Sequence, residues 1–159
     1  MFIGLFLLAL ASKTSANTVS LRTQEHQAPE KFTPNEAIAC SYEIWLRQEN
    51  FCYWAIDPNT KIAHVFGKIA AKRYGKHMTL LKGLQGKGEI YKTLLREAIT
   101  ALLNAYNNPF VFPYFSDEVI SQTSMALTLA PKEAVQLALA FKRANVGAGN
   151  FNCDFVPCK

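Results

Sequence analysis

The stretch of residues 79–106 constrains the fold more than any other part of the chain. Three glycines, Gly83, Gly86 and Gly88, separate a short apolar segment from a long one. In the long segment apolar residues recur at steps of three and four, the spacing that places side chains on one face of an α-helix. The sequence therefore predicts a short helix, a glycine hinge and a long central helix buried on more than one side. The residues of this apolar stripe are Ile90, Leu94, Leu95, Ala98, Leu102, Leu103, Ala105 and Tyr106.

Local start and stop signals predict two helices before the central one. A capping threonine, Pro34 at the first helical position and Glu36 in the first turn predict a helix from Pro34 to about Arg47. Residues 60–73 have apolar side chains at helical spacing, and Gly75 follows them as a stop signal. Both helices are expected to pack against the central one.

After the central helix, an Asn-Asn-Pro sequence at residues 107–109 stops helical geometry. Residues 110–115 are very apolar, and we expect them to form a buried connector that crosses the bundle. Further helices are expected from Ser116 and from Pro131. The predicted fold is therefore all-α, a small disulfide-stapled bundle of about five or six helices. Residues of the last helix expected to point inward are Val135, Ala138 and Phe141.

The N-terminus resembles a secretory signal peptide. An apolar run at residues 2–11 is followed by small residues, which predicts a signal peptide over residues 1–16, with cleavage after Ala11 as the alternative. The run is too short to serve as a transmembrane anchor, so export is expected. Residues 17–32 would then form a flexible leader, and residues 33–159 a single helical domain.

The chain has four cysteines: Cys40, Cys52, Cys153 and Cys158. In an exported chain an even number predicts two disulfides, although three connectivities are possible. Pairing across the domain would close loops of roughly 100 residues and stabilise the fold by about 4–5 kcal/mol, more than local pairing would. A zinc site is disfavoured by export and by the spacing of the first two cysteines, so neither a metal nor another cofactor is expected.

Positive charge is concentrated between residues 61 and 92. This segment has eight basic residues and one acidic residue, in a chain whose net charge is +5. Such a segment can be a solvated face that maintains solubility, or a surface that binds a polyanion. Outside a cell the polyanion would be an acidic polysaccharide or an anionic lipid, and no nucleic-acid recognition motif is present. The basic residues are Lys61, Lys68, Lys72, Arg73, Lys76, Lys82, Lys87 and Lys92.

Other candidate functional residues carry weaker signals. Tyr53 and Trp54 could form an aromatic binding platform, although anchoring of the core beside a disulfide is the favoured interpretation. Arg96 and Glu97 are adjacent on the central helix, so we expect them to point in different directions. No known catalytic motif surrounds the weak catalytic candidates, which are His64, Tyr91, Arg96 and Glu97.

Seven short motifs, taken in order, resemble the C-terminal domain of the plant protodermal factor family. They extend over roughly residues 50–147, nearly the whole predicted fold. The motifs are Cys52-Tyr53-Trp54 with Pro58, Phe66-Gly67, Thr79-Leu80-Leu81, Leu94-Leu95-Arg96-Glu97-Ala98, Ala101-Leu102-Leu103-Asn104, Phe112-Pro113-Tyr114 with Val119, and Ala140-Phe141-Lys142-Arg143-Ala144-Asn145 with Gly147.

The resemblance implies a plant protein that is exported to the cell wall or apoplast and has no established enzymatic activity. The chain lacks the proline-rich region that the family carries before this domain, and it has Asp57 where the family has a histidine before Pro58. The leading hypothesis is a non-enzymatic protein that binds acidic cell-wall polysaccharide, without nucleic acid and without a transmembrane anchor. The alternatives are an enzyme of specialised metabolism on a recruited scaffold and a carrier of a small apolar ligand.

Overall fold

The computed structural model describes residues 39–147 together with Cys153, Phe155 and Cys158. The predicted signal peptide (1–16) and leader (17–32), and the predicted helix start at Pro34, lie outside the described residues. The described part is an all-α bundle, which confirms the predicted fold class, and none of its helices is both long and apolar enough to cross a membrane. Its elements are α1 (Tyr42–Trp45), a 3-10 helix (Gln48–Tyr53), α2 (Ile62–Tyr74), α3 (Leu80–Leu84), α4 (Ile90–Asn107), α5 (Ser116–Ala126) and α6 (Pro131–Val146).

Helix α4 is the centre of the bundle, as its apolar pattern predicts. It packs against α1, α3, α5 and α6. Every residue from Glu97 to Ala105 is buried, so the middle of the helix is covered on all sides. Two residues predicted to belong to the buried face, Ile90 and Tyr106, are each 40% exposed. They lie in the first and last turns of α4, where the neighbouring helices leave part of the side chain uncovered.

The predicted glycine hinge is shorter than expected because Gly83 lies inside α3. A Cβ atom at Gly83 would come within 2.6 Å of Cδ1 of Ile99 and 3.0 Å of Cδ2 of Leu95. The missing side chain therefore lets the backbone of α3 approach α4 closely. The turn between the two helices contains Gly86 and Gly88, and Gly88 has φ +94°, a conformation that favours glycine.

Helix α2 occupies the predicted stretch but is kinked in the middle. Gly67 has φ 80° and ψ −172°, which is not helical geometry. Beside the kink, the carbonyl of Phe66 accepts a hydrogen bond of 3.0 Å from Oγ of Ser124 in α5. The helix ends at Gly75, as predicted. The kink thus brings α2 into hydrogen-bonded contact with α5.

The predicted helix over residues 34–47 is wrong at residues 39–41 and extends only from Tyr42 to Trp45 in its described part. Ser41 is extended, with φ −68° and ψ 163°. The cause is the side-chain amide of Asn104, which pairs with both backbone groups of Cys40. The Cys40 N–H donates to Asn104 Oδ1 and Asn104 Nδ2 donates to the Cys40 carbonyl, each at 2.9 Å. Backbone groups that are paired in this way cannot take part in a helix.

The segment after α4, residues 110–115, is a series of turns and is not wholly buried, so the expectation of a buried connector is wrong. Phe112 is buried, and Tyr114 packs the edge of its ring against α6. Phe110 is 97% exposed and Phe115 is 62% exposed. Because the chain turns on the surface, only two of its aromatic side chains reach the core.

Helices α5 and α6 begin at Ser116 and Pro131, as predicted. The expectation that Val135 points inward is wrong, because this side chain is 36% exposed. It lies one position beyond the buried stripe of α6, whose members follow each other at steps of four and three. The members of the stripe are Ala134, Ala138, Phe141 and Asn145.

Two disulfides connect the tail of the chain with the beginning of the domain. Cys40 pairs with Cys153 across 113 residues, and Cys52 pairs with Cys158 across 106 residues. The N–H of Cys158 also donates to the carbonyl of Glu49 at 2.8 Å. The structure therefore selects a connectivity across the domain and excludes local pairing.

Candidate functional site

Three lysines of the basic segment surround one surface cavity of about 310 Å³, which we call the lysine cleft. Lys82 comes from α3, Lys87 from the turn after it, and Lys92 from the first turn of α4. Its lining includes no aspartate or glutamate. The cleft therefore gathers positive charge from three parts of the chain. The other lining residues are Tyr74, Met78, Gly83, Gln85, Gly86 and Leu95.

The close packing of α3 on α4 positions this cleft. Because Gly83 has no side chain, α3 packs closely against Leu95 and Ile99 of α4. Lys82 on α3 and Lys92 on α4 therefore line the same cavity. The glycines of the turn hold Lys87 between them. The half-buried Met78 contributes an apolar surface to the lining, and Leu95, which is 2% exposed, lies behind it.

A second cavity, of about 460 Å³, lies between α2 and the end of α5, and we call it the arginine cleft. Its cationic residues are Lys72 and Arg73. The Arg73 guanidinium carbon lies 3.6 Å from the centre of the Tyr91 ring, and Nη2 donates to the Leu127 carbonyl at 3.3 Å. A guanidinium held by a ring and a carbonyl has lost part of its rotamer freedom already, which lowers the entropic cost of binding an anion. Ile69, Leu127 and Thr128 complete the lining.

Tyr74 and Tyr91 form a connection between the two clefts. Tyr74 lines the lysine cleft, and its hydroxyl donates to the Tyr91 carbonyl at 2.6 Å. The Arg73 guanidinium of the arginine cleft lies over the Tyr91 ring. The Tyr91 hydroxyl donates to the Leu129 carbonyl at 3.4 Å. Burial raises the pKa of the Tyr74 phenol above its ordinary value, which favours its neutral, hydrogen-bond-donating form. Contacts of these two tyrosines thus link residues of the two clefts.

All eight basic side chains predicted from the segment 61–92 are exposed in the structure. The acidic residue of the segment, Glu89, caps the N-terminus of α4, where its carboxylate accepts from the Tyr91 N–H at 3.3 Å. Five of the eight basic residues line the two clefts. The remaining three, Lys61, Lys68 and Lys76, lie outside these linings.

A second polar cluster lies inside the bundle and centres on Asn104, whose side chain is 0% exposed. Its Oδ1 accepts from the Cys40 N–H at 2.9 Å and from Trp45 Nε1 at 3.1 Å. Its Nδ2 donates to the Cys40 carbonyl at 2.9 Å and to Asn145 Oδ1 at 3.1 Å. All four hydrogen-bonding positions of the amide are therefore used.

The cluster continues from Asn145 to the surface. Nδ2 of Asn145 donates to the Glu97 carbonyl at 3.0 Å and to Glu97 Oε2 at 3.2 Å. Arg96 pairs with Glu97 Oε1 at 3.2 Å, so the expectation that these neighbours point in different directions is wrong. The flexible Arg96 side chain folds back along the helix, donates to the Gly86 carbonyl and lies over the Tyr42 ring. The buried cluster and the lysine cleft therefore adjoin at Gly86.

The weak catalytic candidates are only partly brought together. Arg96 and Glu97 line a small cleft of about 150 Å³ whose lining includes neither His64 nor Tyr91. His64 is exposed on α2, and the Tyr91 ring contacts Arg73 of the arginine cleft. The remaining lining residues are Ser41, Tyr42, Glu43, Lys142, Asn145 and Val146.

Tyr53 and Trp54, the candidate aromatic platform, pack against other parts of the chain. Trp54 is 8% exposed, and its Nε1 donates to the Trp45 carbonyl at 3.2 Å. The Tyr53 ring stacks on Phe155 of the tail with ring centres 4.4 Å apart. Phe155 also meets the edge of Trp45. These rings therefore bury the segment next to the disulfides.

Sequence reasoning assigned no role to Asn104, Asn145 or Ser124. The available signal was a polar residue at the end of the apolar pattern of α4, where a side chain must find partners inside the bundle. Which partners it finds depends on residues 41 and 64 positions away in sequence. A pattern in one helix does not contain that information.

The fold and these surfaces define a disulfide-linked all-α domain with an exposed basic surface. The chain matches the family model of the protodermal factor 1 C-terminal domain over residues 39–152, well over half of its length. It therefore belongs to this plant family, which confirms the resemblance seen in its motifs. Searches of curated proteins and of solved structures found no match.

Proposed function

We propose that the protein is exported to the plant cell wall or apoplast and binds acidic polysaccharide there without catalysis. The observation that carries this proposal is the lysine cleft, where three lysines from three parts of the chain line one cavity. The two disulfides support export, because such bonds persist in oxidising compartments.

The exposure of the charges favours a polymer over a small anion. An exposed ion pair contributes only about 0.2–1 kcal/mol, so one carboxylate would bind weakly. A polysaccharide that carries many carboxylates can engage the lysine cleft and the arginine cleft together, and each further contact is then intramolecular. Because the charges are in solvent, this binding should weaken steeply as salt screens them.

Reversing the charges of the lysine cleft is expected to abolish retention on pectate. The variant carries Lys82→Glu, Lys87→Glu and Lys92→Glu. Retention is measured on a pectate column across a salt series with the mature, oxidised protein. The wild type should elute from the column only at raised salt concentration. The variant should elute at the lowest salt concentration, because three glutamates repel the pectate carboxylates that the three lysines attract.

A matched control has the same change in net charge at another place. Lys132, Lys142 and Arg143 are exposed on α6, away from the lining of the two basic clefts. Changing these three residues to glutamate should leave most of the retention intact. Equal loss in both variants would mean that only the total charge matters, and the basic segment would then be a solubility device.

Export predicts a processed N-terminus. Expression in plant cells should yield secreted protein that begins at Asn17, with the residues up to Ala16 removed. Mass spectrometry of the protein from the extracellular fluid measures this directly. Intact protein that remains inside the cell would contradict the proposal.

The enzyme alternative has less support than the binding proposal. Arg96 and Glu97 pair with each other, and Glu97 is also bonded to Asn145, so both charges already have partners within the domain. His64 is not part of the cleft that these residues line.

A further inference from the structure

We infer that the lysine cleft seats one ring of an acidic polysaccharide and distinguishes an unesterified uronate from its ester. This inference rests on the proposed binding of acidic polysaccharide and names the chemistry that the cleft would select. It follows from the way in which charged and apolar groups are arranged around the cavity.

The walls and the floor of the cleft differ in chemistry. Lys82, Lys87 and Lys92 line the cavity, and the ammonium group of a lysine binds carboxylates by charge-assisted hydrogen bonds. Met78 and Leu95 give the cleft an apolar surface. A sugar ring matches both, because its C–H face can pack on apolar side chains while its carboxylate meets the lysines. A flexible polyanion without rings would use only the charges.

The size of the cleft suits one seated sugar ring. Its volume of about 310 Å³ lies near the lower limit of small-molecule sites, which extend from roughly 300 to 1,000 Å³. Three lysines exceed what one carboxylate needs. Carboxylates on the rings before and after the seated one would complete the neutralisation. The cleft therefore suits a short run of consecutive uronates better than an isolated sugar acid.

The neighbouring arginine cleft gives such a chain a path to continue. Tyr74 lines the lysine cleft and is bonded to the Tyr91 backbone, and the Tyr91 ring contacts Arg73 of the arginine cleft. We therefore expect a polymer that continues from the lysine cleft past Tyr74 and Tyr91 to reach Lys72 and Arg73. Methyl esterification removes the negative charge from each ring, and with it the attraction at every one of these cations.

The test uses a variant that fills the cleft and leaves every lysine in place. Gln85 is exposed and lines the cavity, so Gln85→Trp should occupy the space of a ring without a change in charge. Gln136→Trp, at an exposed position of α6, is the matched control. Calorimetry compares trigalacturonate, its methyl ester and a glutamate oligomer of equal charge. Lys87→Met provides a second cleft variant, and thermal unfolding verifies that each variant is folded.

The wild type and Gln136→Trp should bind trigalacturonate about tenfold more tightly than either comparison ligand. The ester loses several exposed ion pairs, and the glutamate oligomer loses the contact between the sugar ring and the cleft. Gln85→Trp should lose this preference and still be retained on pectate at low salt. Lys87→Met should weaken trigalacturonate binding several-fold.

Two results would overturn the inference and leave the proposed function intact. One is Gln85→Trp binding trigalacturonate as tightly as the wild type does. The other is a wild type that binds the glutamate oligomer equally well, since the ring would then contribute nothing. Wild-type protein that is not retained on pectate at any salt concentration would instead refute the proposed function, and the inference with it.

Discussion

Replacing all four cysteines by alanine is expected to lower the free energy of unfolding by about 8 kcal/mol. Each disulfide closes a loop of more than 100 residues, and such a loop is worth about 5 kcal/mol by itself in the chain-entropy model. A domain of this size has a total stability of about 5–15 kcal/mol. The variant should therefore be largely unfolded at 37 °C.

The two disulfides are not expected to contribute equally when they are removed in turn. With one bond intact, the other closes only the short ring made by the 12-residue step from Cys40 to Cys52 and the 5-residue step from Cys153 to Cys158. A ring of roughly 17 residues is worth about 3 kcal/mol. Either double-cysteine variant should thus lose about 3 kcal/mol, and the loss of both bonds should exceed the sum of the two.

Denaturant unfolding of the two double variants and the quadruple variant measures this difference. Cys52→Ala with Cys158→Ala is the cleaner test of chain entropy, because Cys52 is exposed, whereas Cys40 is 1% exposed and contributes packing as well. A quadruple variant whose loss is no larger than the sum of the two double variants would contradict the argument from overlapping disulfide loops.

Much of the bundle can be predicted from periodicity because it depends on local physics. Helix α4 has enough apolar residues at helical spacing to fix its type and its central place before any partner is known. The start of α6 at Pro131 and the end of α2 at Gly75 follow from backbone preferences of single residues. These features need no information about the rest of the chain.

The errors concern features that distant residues determine. Ser41 is extended because an amide from α4 occupies the backbone of Cys40. Gly83 is a packing residue because two side chains of α4 leave no room for a Cβ atom. Neither reason is visible in the local sequence, since a helix start and a glycine hinge have the same local composition.

The candidate site could be predicted in composition but not in arrangement. The sequence identifies eight basic residues in one segment, and all of them are exposed. It does not show that Lys82, Lys87 and Lys92 border one cavity, because this depends on how closely α3 packs against α4. Arg73 shows the same limit: its ring partner is 18 positions away along the chain.

The family motifs have a structural explanation in the buried cluster. Arg96, Glu97, Asn104 and Asn145 belong to the motifs that carry the resemblance, and the structure joins them by hydrogen bonds between α4 and α6. The lysines of the lysine cleft lie outside those motifs. Membership of the family is therefore evidence for the helical fold rather than for the binding of a particular ligand.

Replacing Asn104 by leucine is expected to destabilise the domain by about 4 kcal/mol or more. Leucine has a similar volume, so the change removes hydrogen bonds with little change in packing. It leaves four buried groups without a partner, two on the Cys40 backbone and one each on Trp45 and Asn145, and each such group costs about 1–3 kcal/mol. Denaturant unfolding measures the loss.

The matched control is Asn107→Leu, the same change three positions further along α4. Asn107 is half-buried, and its Nδ2 donates to the carbonyls of Tyr53 and Leu103, each at 3.0 Å. Because the Leu103 carbonyl is on the same helix and Tyr53 is only half-buried, we expect a loss of only about 1 kcal/mol. Similar losses in the two variants would show that the buried cluster contributes no more to the free energy of unfolding than a partly exposed side-chain amide does.

A double-mutant cycle with Asn145→Leu tests whether the cluster acts as a unit. Asn104 Nδ2 donates to Asn145 Oδ1, so either single change leaves a partner unpaired inside the bundle. The double variant removes both partners together, and its loss should be smaller than the sum by about 1–3 kcal/mol. Strict additivity would mean that the amides act independently. A loss smaller than the sum would show that the two amides are energetically coupled. Asn104 bonds to Asn145 of α6 and to the Cys40 backbone, so one set of hydrogen bonds would then hold both segments to α4.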